Sequence, residues 1–189
     1  MCIKYAIASA ALMLAWTPQV LAQQQEAAAP APCREDIHAQ FDFWVGDWQV
    51  FKRETGELAG IDLIEKVLEG CALQQTWIQL DDGFRPSADQ RLRGLGVLSV
   101  TQDERWRMSW SDNSGYTNVL TGALTETGAM VLDSDPVRYP RGDGGFVEVY
   151  FRWHWLPQDA DTVRSWGERR IGEDGAWETS FDNIYRRNR

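Results

Sequence analysis

Arg164, Trp166, Glu168 and Arg170 alternate along one run, so an extended chain would project all four from a single face. If that face is internal, Arg164 and Glu168 place a charged pair inside a cavity, where each must be satisfied and together they can orient a polar ligand group. If it is external, the same residues form a solvated ion pair of small energetic value. The opposite face carries Val163, Ser165, Gly167, Arg169 and Ile171 and is not clearly more apolar, so both placements stay open. Glu168 could act as a general acid or base in the internal case, although no partner for it is identifiable. No nucleophile elbow, Walker loop, dinucleotide fingerprint or paired-histidine metal spacing occurs, so no catalytic residue, metal or cofactor is assigned.

Those residues must be positioned by a chain of 189 residues with 28 acidic against 19 basic side chains and 10 Trp. One domain fits that length. The anionic balance argues against nucleic acid and anionic lipid as partners, because both repel such a surface. Lys4, an apolar run from Tyr5 to Trp16 and the small residues around Val20-Leu21-Ala22 form an export signal, with cleavage expected after Ala22. The run is shorter than the roughly 20 residues of a membrane-spanning helix. A soluble periplasmic or secreted product is expected. Removing residues 1–22 leaves 18 basic residues against 28 acidic, a net charge of −10, with two cysteines and nine tryptophans. In an oxidising compartment the two, Cys33 and Cys71, form one disulfide that ties an N-terminal segment to the domain. Residues 23–32, QQQEAAAPAP, are a low-complexity tether, and the domain occupies 33–189.

Residues 34–43 are compatible with one short helix, since Ile37 and Phe41 stand four apart. Beyond them the chain reads as short runs separated by turn residues. Runs near 46–53, 60–69, 72–80, 91–101, 105–112, 117–126, 129–138, 146–156, 162–171 and 176–187 give about ten strands in meander order. Val147, Val149, Phe151, Trp153 and Trp155 share one face of their run, and Trp106, Met108 and Trp110 share another. Trp177, Phe181 and Tyr185 repeat the pattern near the C-terminus. An open sheet of that many strands leaves edges exposed, so an all-β, antiparallel up-and-down barrel is expected, with a β-sandwich as the alternative.

Closure gives Gly46 and Trp48 a meaning. In lipocalin-type barrels a Gly-x-Trp opens the first strand, and an arginine from the last strand stacks on its indole; Arg187 has the register for that contact here. The block Phe41-Asp42-Phe43-Trp44-Val45-Gly46-Asp47-Trp48 resembles the opening signature of exported bacterial proteins of unknown function with a calycin-like barrel, related in shape to lipocalins and more distantly to nitrobindins. The resemblance runs through Gly70-Cys71-Ala72-Leu73, Trp77, Trp106, Trp110, Asp112, Arg152, Trp155 and Glu168 to Phe181-Asp182 and Tyr185-x-Arg187. Gln75 stands where that family often carries Glu, and Asn183 where it often carries Gly. The resemblance implies fold and export and brings no activity or substrate.

A haem, suggested by the nitrobindin likeness, needs a histidine facing the cavity. His154 alternates with Trp153 and Trp155, so inward indoles turn its imidazole outward; His38 belongs to the helical stretch, and both read as surface residues. Three functions are compatible with such a barrel. The favoured one is a carrier of an apolar or aromatic small molecule, its candidate contacts being Trp77, Trp106, Met108, Trp110, Phe151, Trp153, Arg164, Trp166 and Glu168. The others are an isomerase or hydrolase using Glu168 and Arg164, and a filled barrel serving as an interaction module. Interior volume and lining separate the three; the sequence leaves oligomeric state open.

Overall fold

In a computed structural model, described for residues 33, 36–87 and 89–188, eleven antiparallel strands form one sheet that closes on itself. They are β1 (Gly46–Lys52), β2 (Leu58–Val67), β3 (Ala72–Gln79), β4 (Arg93–Val100), β5 (Trp106–Asp112), β6 (Thr117–Leu124), β7 (Met130–Ser134), β8 (Val137–Pro140), β9 (Phe146–Asp159), β10 (Thr162–Ile171) and β11 (Glu178–Arg187). Neighbours in sequence are neighbours in the sheet, apart from β8. Pairing of β1 with β11 and of β9 with β10 completes a ring of ten strands. Closure pairs every edge except that of β8, which is the barrel solution to unpaired backbone groups.

The expected single run 129–138 is broken. Pro136, lying between Ser134 and Val137, has no N–H to give to a ladder, so the chain pauses and resumes as β8 against the first half of β9. β7 pairs with the second half, Met130 facing Trp155 and Leu132 facing Trp153. The 34–43 stretch also divides: α1 is one turn, Asp36–Ala39, and a 3-10 turn follows at Asp42–Trp44. A continuous helix would carry Phe41 past the barrel. The break instead seats it, fully buried, edge-on to Trp106 and Trp155 with ring centroids 5.1 and 5.4 Å away. The export signal and the 23–32 tether lie outside the described residues.

One end of the barrel is filled. Phe41, Trp44, Trp48, Leu98, Trp106 and Met108 form its solid core with Leu120, Met130 and Leu132. The predicted closure contact is present, the Arg187 guanidinium standing 4.2 Å above the Trp48 ring. Arg187 Nη1 also donates to the Val45 carbonyl at 2.8 Å, and Trp48 Nε1 donates to the Trp44 carbonyl at 2.8 Å. Gly46 has φ of +148°, and a Cβ there would stand 2.1 Å from Arg187 Nη1, so only glycine admits the arginine. Cys33 and Cys71 are disulfide-bonded, which anchors the plug segment to the β2–β3 connection.

Candidate functional site

The other half of the barrel is open. A cavity of about 790 Å³ enters between the β1–β2 turn, the loop after β3 and the β5–β6 turn. Its apolar wall consists of Trp77, Trp110, Trp153, Phe181, Tyr116 and Phe84, with Trp155 and Tyr185 at the base. Aromatic rings of that size would ordinarily meet across the lumen. Inward-facing glycines prevent it by letting rings lie flat on the wall: a Cβ on Gly94 would come within 2.0 Å of the Trp110 ring, one on Gly167 within 2.2 Å of Phe181 and one on Gly60 within 2.5 Å of Trp77. Trp153 joins the two halves. Its ring meets Trp155 of the plug at 6.3 Å, Trp110 at 5.9 Å and Phe181 at 6.0 Å, all in edge-to-face arrangements that fix the indole without filling the space.

A polar cluster lies at the base. Asp62, in phase with Ile64 on the inner face of β2, is 1% exposed. Its Oδ2 accepts from Gln75 Nε2 at 2.6 Å and from the Tyr185 hydroxyl at 3.0 Å, while no protein group donates to Oδ1. Burial pushes the Asp62 carboxyl well above the ordinary range, against the opposing pull of those two donors. Burial, and then the nearby Asp62 charge, raise the Tyr185 hydroxyl in the same direction. Gln75 is 6% exposed and lines the cavity, so the cluster reaches the cavity through Gln75 and Tyr185. At the mouth, Lys52 Nζ meets Asp81 Oδ2 at 2.7 Å, and Gln79 Nε2 holds Asp81 Oδ1 at 2.6 Å and the Phe84 carbonyl at 3.0 Å. Burial raises the Asp81 carboxyl, but donation from Lys52, Gly83 and Gln79 outweighs it and leaves it below its usual range.

Of the residues expected to contact a ligand, the cavity brings together Trp77, Trp110 and Trp153. Trp106 and Met108 belong to the plug instead, and Phe151 packs edge-on against Tyr116. Arg164, Trp166 and Glu168 require a correction: they face outward, because Val163, Ser165 and Gly167 occupy the inner face of β10. Their internal ion pair does not form. Arg164 makes a bidentate pair with Asp182 at 2.9 Å for both bonds, and its guanidinium covers Trp166 at 4.3 Å. Trp166 in turn stacks flat on His154, centroids 4.3 Å apart, and His154 Nε2 meets Glu168 Oε2 at 2.8 Å. Burial lowers the His154 imidazole below its usual value despite the Glu168 contact. His154 thus points away from the lumen, as its alternation with Trp153 and Trp155 predicts.

Asp62, Tyr185 as a hydrogen-bonding group, and the roles of Gln75 and Gln79 escaped the sequence reading. The available signal was one carboxylate in phase with Gly60 and Ile64, but Ile61 and Leu63 make the other phase equally apolar. Among the described residues no helix is long and apolar enough to cross a membrane. Compared with known families and curated proteins, the chain matches no family model and no curated sequence.

Proposed function

We propose that this chain is an exported small-molecule binding protein whose open barrel half takes an apolar or aromatic ligand. The observation that carries the reading is the 790 Å³ cavity walled by Trp77, Trp110, Trp153 and Phe181. That volume is typical of a site for a molecule of drug or metabolite size, and aromatic walls with a few fixed polar groups are the usual lining. The filled-barrel reading is disfavoured by the same space. The enzyme reading loses the residues assigned to it, since Arg164 and Glu168 lie on the outer face and satisfy other partners. Export is supported by the N-terminal signal-like segment, and the Cys33–Cys71 bridge suits an oxidising compartment.

Three of the wall residues are tryptophans, which makes binding visible. Titrating the mature protein with a panel of small aromatic molecules should quench or blue-shift its emission saturably for at least one of them. A panel that leaves the emission unchanged at every concentration overturns the reading.

A further inference from the structure

We propose that the cavity receives a neutral aromatic molecule bearing a carbonyl oxygen, its ring among the indoles of Trp77, Trp110 and Trp153 and its oxygen on a row of donors from Trp155, Ser165 and Asn183. This rests on the binding function proposed above and names the class of ligand.

Register builds the row. Ser165 on β10 stands directly opposite Trp155 of β9 on one side and Asn183 of β11 on the other, and all three line the cavity. Directly opposed residues hold their Cβ atoms about 4.5–5.5 Å apart, so one small ligand group can reach neighbours in the row. Two positions along the same strands come Trp153, Gly167 and Phe181, which lays an aromatic row beside the polar one. Trp155 and Ser165 are each 2% exposed. Among the described residues, no protein group hydrogen-bonds to either side chain or to that of Asn183. Asp62 Oδ1 and Gln75 Oε1 are unpartnered too, but both are sealed from the cavity. Trp155 Nε1 and Ser165 Oγ are not sealed, so the little surface these residues keep includes their polar atoms. A nearly buried N–H or O–H without a partner is costly, and a ligand oxygen would satisfy it.

The chemistry of the row sets the polarity of its guest. An indole N–H only donates, while a serine hydroxyl and a carboxamide can donate as well, so an acceptor suits all three. Charge decides between a carbonyl and a carboxylate. Lys52, opposite Asn183 on β1, is the only basic residue of the lining among the described residues, and Asp81 at 2.7 Å and Glu57 at 3.5 Å already hold its ammonium. Glu54 and Asp112 add negative charge to the lining. A carboxylate would pass those charges and lose its water without a free countercharge, whereas a neutral carbonyl meets neither cost.

The test compares acetylnaphthalene with isopropenylnaphthalene, in which a methylene replaces the carbonyl oxygen at nearly the same shape, and with naphthoate, by calorimetry. The ketone should bind about tenfold tighter than the alkene and tighter than the carboxylate. Its carbonyl stretch in the infrared should lie at lower frequency when bound than in hexane, as a hydrogen-bonded carbonyl does. Ser165→Ala and Asn183→Ala should each weaken the ketone by roughly three- to tenfold, leave the alkene unchanged and return the stretch part of the way to its hexane value. Equal affinity for ketone and alkene, a bound stretch at the hexane value, or a stretch that neither variant moves overturns the donor row while leaving the binding function standing. Tighter binding of naphthoate overturns the neutral class. Binding by none of the three overturns this inference, and the emission panel above then decides the binding function separately. The wild-type spectrum keeps the proposal decidable should a variant fail to fold.

Discussion

The Tyr185 hydroxyl donates to Asp62 Oδ2 at 3.0 Å, linking β11 to β2 across the intervening β1. The partners stand 123 positions apart in sequence and enclose a carboxyl whose hold on its proton is strengthened by burial. Such a group opposes folding as pH rises. The unfolded chain ionises Asp62 in the ordinary carboxylate range, the folded chain does so only at higher pH, and between the two values the unfolded state binds fewer protons. Stability from this residue is therefore complete below the unfolded value and is lost as pH climbs toward the raised folded one.

Asp62→Asn, which cannot ionise, should remove that loss. Its stability relative to the wild type should increase as pH rises above the ordinary carboxylate range, with a slope of at most about 1.4 kcal/mol per pH unit. Urea denaturation midpoints across the range would measure it. A difference that does not change with pH would mean that Asp62 titrates alike in both states.

Enlarging Gly94 should close the cavity from its wall. A valine side chain occupies the space of the Trp110 ring, whose nearest atom is 2.0 Å from an ideal Cβ, and forces the indole into the lumen. Gly94→Val should weaken aromatic probes at least tenfold while overpacking lowers stability by about 1–3 kcal/mol. Probe titration and thermal melting on one preparation would separate the two effects.

At the filled end, Arg187→Ala should cost about 2–4 kcal/mol, combining loss of the Trp48 contact with abandonment of the Val45 carbonyl. Arg187→Lys should recover little, because an ammonium lacks the planar fork that covers the ring and reaches the carbonyl together. Chemical denaturation of both variants would show whether the lysine protein groups with alanine or with wild type.

How much of this was legible in the sequence depended on contrast between faces. Phe151, Trp153 and Trp155 alternate with Arg152 and His154, so their direction could be read from composition, and Gly46, Trp48 and Arg187 carried enough spacing to predict a contact 4.2 Å long. β10 offered no such contrast. Its inner face is Val163, Ser165 and Gly167, small or polar because Phe181 fills the volume from the neighbouring strand, and a single-strand pattern does not contain that information. Asp62 was hidden for the converse reason: the outward Ile61 and Leu63 are as apolar as the inward Ile64. The cavity depends on rings lying over glycines of other strands, a property of pairing register.

The Cys33–Cys71 bridge closes a loop of 38 residues and should contribute about 3–4 kcal/mol. Because it ties down the plug and not the cavity wall, reduction should lower the melting temperature while aromatic probes still bind at temperatures well below the new midpoint. Loss of binding by the folded reduced protein would show that plug and cavity are coupled.

The most direct measurement of ligand binding in the open half is the indole N–H region of a nitrogen-15 correlation spectrum during titration with a small aromatic molecule that changes the tryptophan emission. Resonances of Trp77, Trp110 and Trp153 should move together and saturate at one equivalent, while those of Trp44 and Trp48 in the plug stay nearly still. Movement confined to Trp166 and Trp177, or no movement at all, would contradict it.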